Sequence, residues 1–533
     1  MGHALLLLTA AAGLLAGCAS PPQVVQITPE RNARDVSSAQ PVQVSFDRAV
    51  DRASVASRFH LKPGVDGRIR WAGDSQLVFE HQPLRPSTSY QVVLDPGYRD
   101  QQGNMNALRH SWSFVTEAPP ALTGSSPGNG DQGVDPAAYL SLTFSREMDL
   151  ASLAGTISVS PSLSFSLRKD PSDPRRVILA PDSLLDPGLT YAVGVTQDAR
   201  DVDGNSLRAG SVVSFSTGQL SSLKHWVGFI AEPTPGAGGE GVWIVDENRF
   251  PRRVVSASVD QFSWSLDGTH LLMHSPAGGW SDQPLNGTAT TLPFHAEWAA
   301  FLAGNRGYAY LENGSLKVLT GTGAVLDVAA DVGQATVAPS GTRLAFAVRG
   351  RPGFEIDAYD VDLHARYRLQ AETGTVDQLA WSPDGLAIAY RLQGTTPQNS
   401  QIRARQLSGA ARTQTVATGE VSGPAWQADS RHLVFTASVA TSSGTVDRAF
   451  RLAVGDPPPR SLAAGQGLPT GSALSVGQIS LSADGHQIAF LAGYQGRAAV
   501  WLMNADGTGL TRLSEFGGAG AGYSARAVAW TPS

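Results

Sequence analysis

Cysteine is almost absent from this chain of 533 residues, which contains a single one at Cys18. One cysteine excludes an intramolecular disulfide and any cluster of thiolate metal ligands. Charged residues are also sparse, at 16% of the sequence, and 46 acidic residues outnumber 40 basic ones to give a net charge of −6. Because proteins that bind nucleic acid usually present a strongly basic surface, we expect no nucleic-acid partner.

Familiar catalytic and cofactor-binding motifs are missing as well. The chain has no His-Glu-x-x-His, no Walker Gly-Lys-Ser/Thr, and no Gly-x-Gly-x-x-Gly between a strand and a helix. A Gly-x-Ser-x-Gly does run from Gly124 to Gly128 and would make Ser126 a hydrolase nucleophile. It lies in a Pro-, Gly- and Asn-rich entry to the second repeated unit described below, with no helix after it, so we interpret it as a chance match. The sequence therefore predicts no catalytic residue, no metal site and no cofactor.

Long apolar runs are confined to the N-terminus. The stretch from Ala4 to Leu15 has the length of a signal-peptide core and is too short for a membrane-spanning helix, which needs about 20 residues. It is followed by Ala-Gly-Cys, and Leu15 to Cys18 resembles a bacterial lipobox. The resemblance implies a signal peptide at 1–17, a lipid attached to Cys18, and a lipidated cysteine with a short tether at 18–23.

A lipid on Cys18 would anchor the protein to a membrane without a membrane-spanning segment. No later segment approaches 18 uninterrupted apolar residues, so a spanning helix is not expected. We therefore expect an extracytoplasmic, lipid-anchored protein. Cys18 is followed by Ala19 and not by Asp, which points to the outer membrane or the cell surface in a bacterium with two membranes.

Two consecutive units repeat the same landmarks. Both begin with alternating apolar and polar residues typical of half-buried strands, at 41–47 and 139–145. Four landmarks follow in the same order at offsets of 98 to 101 residues: Asp-x-Ala-Ser from Asp51 and Asp149, Leu-x-Pro-x-x-x-Tyr from Leu84 and Leu185, Asp-x-x-Gly-Asn from Asp100 and Asp201, and a closing strand with Phe114 and Phe215. This period is the size of an immunoglobulin-like sandwich. The pair resembles bacterial Ig-like domains of the SbsA type, which implies such domains at 24–118 and 119–218.

The second Gly-Asn motif also invites a calcium interpretation, because Asp201, Asp203 and Asn205 are spaced like the start of an oxygen-ligand loop. The first copy has Gln102 at the position of Asp203, and neither copy continues to a bidentate acid. A tight turn between two strands needs the same Gly and Asn. We therefore favour the turn over calcium.

A different repeat begins after Ser222. The repeating unit consists of a strand, a turn of the Asp-Gly type and a second, apolar strand. We call the residue at the junction of the first strand and the turn the anchor of each repeat. The anchors are spaced by 36 to 55 residues: Trp264, Phe301, Val337, Trp381, Trp426, Leu481 and Trp530. Four strands fit into each step, as in propeller blades. The repeat resembles TolB-type propellers, whose Trp-Ser-Pro-Asp-Gly turn is matched fully at Trp381 to Gly385.

The resemblance implies a seven-bladed β-propeller over 222–533. The last half-repeat, Val528 to Ser533, supplies only an inner strand, whereas the start of the domain supplies strands without an inner one. We predict that the C-terminal strand joins the first blade and closes the ring. The predicted fold class is therefore all-β, with two Ig-like β-sandwiches followed by a seven-bladed β-propeller.

Two histidines on one predicted strand form a second candidate site. His270 and His274 are four residues apart and share a strand face, an arrangement that a metal site could use. A solvated strand face explains them equally simply. We favour the solvated face.

The residues three positions before the anchors define a candidate ligand-binding site. Four of the seven are glutamines, a fifth is a tryptophan, and two acids precede glutamines: Gln261, Gln334, Gln378, Gln478, Trp298, Asp260 and Asp377. TolB-type propellers line their channel with inner strands, which implies a partial ring at one channel mouth. One hypothesis is that the amides bind a glycan or an extended peptide, with Trp298 as a stacking surface. The other is that they hydrogen-bond between neighbouring blades.

Two classes of function follow from these features. We favour a non-catalytic binding or scaffolding lipoprotein of the cell envelope, whose propeller binds a protein, peptide or glycan. The alternative is a propeller hydrolase that acts on a glycan or a lactone in the central channel. The first is favoured because the blade openings carry mainly neutral residues, whereas a hydrolase needs several acids or histidines there.

Replacing Cys18 by Ser tests the anchoring prediction. The variant should leave the membrane fraction and remain folded, because the first predicted domain begins only at residue 24. Fractionation of cells and a salt wash of the membranes measure this. A Cys18→Ser protein that still pellets with membranes and resists salt would show that no lipid on Cys18 holds it there.

Overall fold

The computed structural model describes residues 20–220, 223, 225–233, 239–246, 250–350, 353–409, 411–441, 444–455, 460–461, 475–494, 496–513 and 523–532. The signal peptide and Cys18 lie outside these ranges. Strands dominate the described chain, and the all-β prediction is confirmed. Within the same ranges, no helix is long and apolar enough to cross a membrane.

The first Ig-like domain is a sandwich of two antiparallel sheets. Its elements are β1 (Val24–Thr28), β2 (Val42–Phe46), α1 (Arg52–Ala56), β3 (Phe59–Lys62), β4 (Gly67–Trp71), β5 (Gln76–His81), β6 (Ser89–Leu94) and β7 (His110–Val115). The sheets have the strand orders β1-β2-β5-β4 and β3-β6-β7. Alternate residues of β2 are buried, so the period of two seen in the sequence defines the face that packs on the other sheet.

The second Ig-like domain repeats this topology. Its elements are β8 (Leu122–Ser126), β9 (Leu140–Phe144), α2 (Leu150–Ala154), β10 (Ile157–Ser160), β11 (Phe165–Lys169), β12 (Arg176–Pro181), β13 (Thr190–Val195) and β14 (Ser211–Ser216). The sheets are ordered β11-β12-β9-β8 and β10-β13-β14. Ser126 ends an edge strand of this domain, with no helix after it, so the strand-to-helix elbow of a hydrolase is not formed there.

The shared landmarks are explained by local hydrogen bonds. Asp51 and Asp149 cap the two short helices through their side chains, which accept bonds from the backbone two and three residues ahead. The sequence analysis found these Asp-x-Ala-Ser motifs but missed the helices, because five residues are too few to show helical periodicity. The hydroxyls of Tyr90 and Tyr191 accept bonds from the backbone five residues upstream and form a tyrosine corner in each domain.

The Asp-x-x-Gly-Asn motifs are tight turns, as favoured from the sequence. One oxygen of Asp201 accepts the backbone N–H groups of Asp203 and Asn205, at 3.1 and 2.8 Å, and Gly204 has a φ of +88°. The other carboxylate oxygen accepts the Asn205 side-chain amide. The turn therefore uses both oxygens of Asp201 for its own donors.

The remainder of the chain folds into seven four-stranded antiparallel sheets within the described residues. Their strands are β15 (Val227–Pro233), β16 (Gly241–Val245), β17 (Arg252–Val255), β18 (Gln261–Trp264), β19 (His270–Ser275), β20 (Gly279–Pro284), β21 (Thr290–Thr291), β22 (Trp298–Phe301), β23 (Tyr308–Glu312), β24 (Ser315–Leu319), β25 (Val325–Ala329), β26 (Val332–Val337), β27 (Arg343–Arg349), β28 (Phe354–Asp360), β29 (Ala365–Glu372), β30 (Val376–Trp381), β31 (Ala387–Leu392), β32 (Ser400–Gln406), β33 (Thr413–Gly419), β34 (Val421–Trp426), β35 (His432–Thr441), β36 (Gly444–Ala453), β37 (Arg460–Ser461), β38 (Val476–Leu481), β39 (Gln487–Tyr494), β40 (Arg497–Asn504), β41 (Thr511–Arg512) and β42 (Tyr523–Trp530). Short 3-10 turns lie at Gly304–Arg306 and Pro397–Asn399.

Six of these sheets take four consecutive strands, and one combines both ends of the domain. Its strand order is β17-β16-β15-β42, so the last strand pairs with the first as the sequence predicted. The pairing runs from Val227 opposite Trp530 to Pro233 opposite Tyr523. The inner strands of neighbouring sheets pack on one another, and β42 contacts both β38 and β18. This strand therefore joins the last sheet to the second.

Charged side chains are buried where the domains meet. Between the two sandwiches, Glu117 is 2% exposed and accepts bonds from the Ser38 backbone, the Asn205 amide and the Arg146 guanidinium. Burial raises the pKa of the Glu117 carboxyl above its usual value. These donors stabilise the buried carboxylate and hold the first sandwich against the second.

A buried arginine forms the next junction. Arg252 has no exposed surface, lies 4.2 Å from the ring centroid of Tyr139, and donates to the carbonyl of Ala137. The hydroxyl of Tyr139 in turn donates to Asp246 at 2.7 Å. Because Arg252 begins β17, the first sheet of the propeller is attached directly to the second sandwich.

Candidate functional site

Four of the seven positions that lie three residues before an anchor coincide with bulges in the inner strands. Pairing is interrupted around Gln378, Gly423, Gln478 and Ala527. Gln378, Gly423 and Ala527 have left-handed φ angles of +52°, +66° and +51°. A bulge changes the direction of a side chain relative to the regular alternation of a strand. At these positions, the direction of a side chain therefore does not follow from the inward and outward alternation of the neighbouring residues.

Three of the four glutamines bond to the backbone of the following sheet. Gln378 accepts from the Gly423 amide at 2.8 Å, Gln478 accepts from the Val528 amide at 3.2 Å, and Gln261 donates to the Glu297 carbonyl at 3.2 Å. These contacts are the inter-blade bonds of the structural hypothesis. Gln334 differs, because its side-chain oxygen is buried and has no partner among the described residues. A ligand-binding role for the four amides stays a prediction.

The other three predicted residues also have protein neighbours. Asp260 lies 2.6 Å from Nδ1 of His274, and Asp377 forms two bonds with the Arg391 guanidinium at 2.8 and 2.6 Å. In both cases the acid before a glutamine pairs with a basic residue on the second strand of its sheet. Trp298 is half-buried in the apolar core shared by the third and fourth sheets. Its role as a stacking surface stays a prediction.

A polar cleft that the sequence analysis missed lies beside Asp377 at the same end of the sheets. It has a volume of about 410 Å³ and lies between the fifth sheet (β30 to β33) and the sixth (β34 to β37). Its polar lining side chains are Arg391, Gln393, Thr395, Thr396, Ser400, Glu420, Ser422, Thr436, Ser438 and Asp447. They come from strands and loops outside the repeated turn, so no repeat pattern marked them.

The acids of this cleft differ in their partners. Asp447 accepts the hydroxyl of Ser438 at 2.6 Å, and Gln393 donates to Asp377 at 2.6 Å beside the Arg391 pair. Glu420 is exposed, and its carboxylate has no partner among the described residues. With Arg391 already neutralised by Asp377, Glu420 and Asp447 give the cleft a negative character. The cleft therefore favours ligands that donate hydrogen bonds or carry positive charge.

The histidine pair does not form the solvated face that we favoured. His270 bonds to Asp282 at 2.7 Å, whereas His274 bonds to Asp260 at 2.6 Å, near the opposite end of β19. The two rings therefore serve separate carboxylates. This correction reflects partners on neighbouring segments, which a pattern within one strand does not reveal.

One group of acids among the described residues has the spacing of a metal site. Oxygens of Glu117, Asp201 and Asp203 lie within 4.8 Å of one another at the junction of the sandwiches. Each already accepts protein donors, including the hydroxyl of Ser37 on Asp203 at 2.7 Å. These bonds account for the cluster as part of the domain junction.

Comparison with known proteins identifies the N-terminal part of the chain. A family model described as a bacterial Ig-like domain matches residues 19–116 and 117–217, so the N-terminal part consists of two such domains. No curated protein matches the chain.

Solved structures with a similar fold include TolB from Acinetobacter baumannii, at 12% identity over 72% of this chain and 86% of that one, with a TM-score of 0.37. A putative TolB from Agrobacterium tumefaciens is 16% identical over 54% and 87%, with a TM-score of 0.34. An oligogalacturonate lyase from Vibrio parahaemolyticus is 10% identical over 54% and 86%, with a TM-score of 0.39. Likeness at this level concerns the fold and does not indicate an activity.

Replacing Gln378 by Ala tests the structural hypothesis for the glutamines. The variant should melt at a lower temperature, because it leaves the Gly423 amide without its acceptor and a net hydrogen bond contributes about 0.5 to 1.5 kcal/mol. Gln261→Ala is the matched control, since its longer and exposed bond should matter less. Thermal unfolding followed by circular dichroism measures both. If Gln378→Ala melts like the unaltered protein, its amide does not connect the sheets.

Proposed function

We propose that this protein is a lipid-anchored binding or scaffolding protein of the cell envelope, whose propeller holds a peptide or a glycan at the channel mouth. The observation that carries the proposal is the cleft beside Asp377, where polar side chains from two sheets converge around an unpaired carboxylate. Binding sites are typically concave and combine a few placed polar groups with rigid walls. Here β-sheets supply the walls.

The chemistry of the cleft favours a partner with hydrogen-bond donors. Glu420, Asp447 and several hydroxyls offer acceptors, while Arg391 is occupied by Asp377. A basic or amide-rich peptide and a glycan both present donors of this kind. An anionic partner would be repelled by the negative charges of Glu420 and Asp447.

The rest of the chain suits a presenting role. The two Ig-like domains separate the propeller from the predicted lipid on Cys18, and buried polar contacts at Glu117 and Arg252 support both junctions. A stalk held in this way limits the orientations of the propeller relative to the membrane. An extracytoplasmic location follows from the lipobox resemblance and the bacterial Ig-like domains.

The hydrolase alternative remains a second proposal. Two acids at the predicted site, Asp260 and Asp377, are paired with His274 and Arg391. A general acid must present a proton to the substrate, whereas both carboxylate oxygens of Asp377 accept bonds from Arg391. These pairings therefore favour ligand binding over hydrolysis at this site.

Site-specific photocrosslinking tests the proposal. A benzoylphenylalanine at Thr395, exposed in the cleft, should form a defined adduct in intact envelopes. The same residue at Leu363, which is 75% exposed outside the cleft, should not. Reversing the charge with Glu420→Lys should strongly reduce the adduct at Thr395.

Two results would reject the proposed site. Equal adducts at Thr395 and Leu363 would mean that the propeller surface is contacted without preference. If the purified protein cleaves envelope glycans and no adduct forms at Thr395, the result would instead support the hydrolase. Glu420→Lys should stay folded, because Glu420 is exposed and unpaired among the described residues.

A further inference from the structure

A larger pocket lies at the opposite end of the sheets from the glutamine positions. It has a volume of about 630 Å³ and lies between the second sheet (β18 to β21) and the third (β22 to β25). Gln261 begins β18 and Trp264 ends it, and the pocket is lined by the turn that follows Trp264. Its volume is within the range of small-molecule sites, about 300 to 1,000 Å³. This pocket is separate from the cleft between the fifth and sixth sheets and does not depend on the function proposed for it.

The pocket occurs where the repeated turn is altered. In the second, fifth and seventh sheets, a serine after the anchor bonds to an aspartate two residues on: Ser265 to Asp267 at 2.7 Å, Ser382 to Asp384 at 2.6 Å and Ser482 to Asp484 at 2.6 Å. After the anchor Phe301, the equivalent positions are Leu302 and Gly304. The third sheet therefore lacks the Ser–Asp pair that fills the turn in those three sheets.

Small residues shape the remaining wall. Ala303, Gly304, Gly307, Gly321 and Gly323 all line the pocket. Gly307 has a φ of +91°, and a Cβ built on it would lie 2.0 Å from the carbonyl oxygen of Leu319. No larger residue fits at Gly307 without moving the backbone. The local sequence thus keeps open a space that a regular repeat would occupy.

A linked set of polar groups from the second and third sheets also lines the pocket. Asp282 accepts Nδ1 of His270 at 2.7 Å on one oxygen and the hydroxyl of Tyr308 at 2.6 Å on the other. Burial raises the pKa of Tyr308 above its usual value, so its hydroxyl keeps its proton and remains a donor. Since an ionised carboxylate only accepts, Nδ1 of His270 carries the proton and Nε2 is an acceptor when the ring is neutral.

The free acceptor and the aromatic walls define the ligand. Nε2 of His270 has no partner among the described residues, and the ring of Phe301 meets the imidazole edge to face at 6.2 Å. Tyr308 adds a second aromatic ring, and the only ionised side chains of the lining are Asp267 and Asp282. Neither Lys nor Arg lines the pocket. The site thus suits a ring with hydrogen-bond donors and no negative charge.

We propose that this pocket binds a single sugar ring, with an amino sugar preferred over a neutral sugar and a sugar acid rejected. Ring hydroxyls donate to Nε2 of His270, and the apolar ring face packs on Phe301 or Tyr308. The ammonium group of an amino sugar gains from Asp267 and Asp282, whereas a carboxylate is repelled by the same acids.

Proton NMR of the histidine rings tests the proposal in the full soluble chain that begins after Cys18. D-glucosamine, D-glucose and D-glucuronate are the three probes. Glucosamine should shift the imidazole resonances of His270 in a saturable way, glucose should do so only at higher concentration, and glucuronate should leave them unchanged. The resonances are assigned from the spectra of His270→Ala and His274→Ala.

The two histidine variants form a matched pair. Both remove one His–Asp bond from β19, but only His270 lines the pocket. His270→Ala should lose glucosamine binding by at least tenfold in dissociation constant, and His274→Ala should keep it. Equal weakening by both variants, binding that survives in His270→Ala, or glucuronate binding as tightly as glucosamine would each overturn the proposal. Absence of any shift at His270 with all three probes would overturn it as well.

Discussion

The pairing of the last strand with the first strand of the propeller is the constraint on which the other features depend. β15 and β42 lie about 300 residues apart in the chain and form one antiparallel ladder, which buries Phe229 and Val528 almost completely. Burial of such side chains contributes about 1.5 to 3 kcal/mol each. The ladder completes the first sheet. In addition, the backbone amide of Val528 in β42 donates to the side-chain oxygen of Gln478 in the last sheet. Without β42, the last and second sheets would lose the inner strand on which both pack.

Both candidate sites are consequences of this closed arrangement. The cleft beside Asp377 and the pocket beside His270 each lie between two neighbouring sheets, so the packing of those sheets fixes their widths. The first is a polar cleft lined by Glu420 and Asp447, and the second is a larger and more apolar pocket. They lie at opposite ends of the sheets. The two proposed binding sites therefore do not overlap.

The sequence predicted the elements that rest on local chemistry. Repeated landmarks located the tyrosine corners at Tyr90 and Tyr191, the turns at Asp100 and Asp201, and the strand that completes the first sheet. Spacing from the anchors also identified related inner-strand positions at Gln261, Gln378 and Gln478. It could not show their bonds to the next sheet, because those bonds depend on how neighbouring sheets pack. Around Gln378 and Gln478, bulges also break the alternation from which side-chain direction is normally inferred. The partners of His270 and His274, and the cleft around Glu420, depend on register and loop placement between sheets, which no single strand encodes. The altered turn after Phe301 was visible in the sequence, but the pocket it leaves was not.

Hydrogen exchange of the intact protein measures the ring closure most directly. If β42 is an integral inner strand, the amides of β42 that bond to β15 should be protected to the same degree as those that join β15 and β16, since opening one requires opening the sheet. Gly228 and Ala529 report on the ladder between β15 and β42, because the neighbouring amides of Val528 and Trp530 donate to side chains of β38. Phe229 and Trp243 report on the ladder between β15 and β16. Protection of all four within the same cooperative unit is the predicted result. Rapid exchange of β42 while β15 and β16 remain protected would contradict the account, because the ring would then be stable without its closing strand.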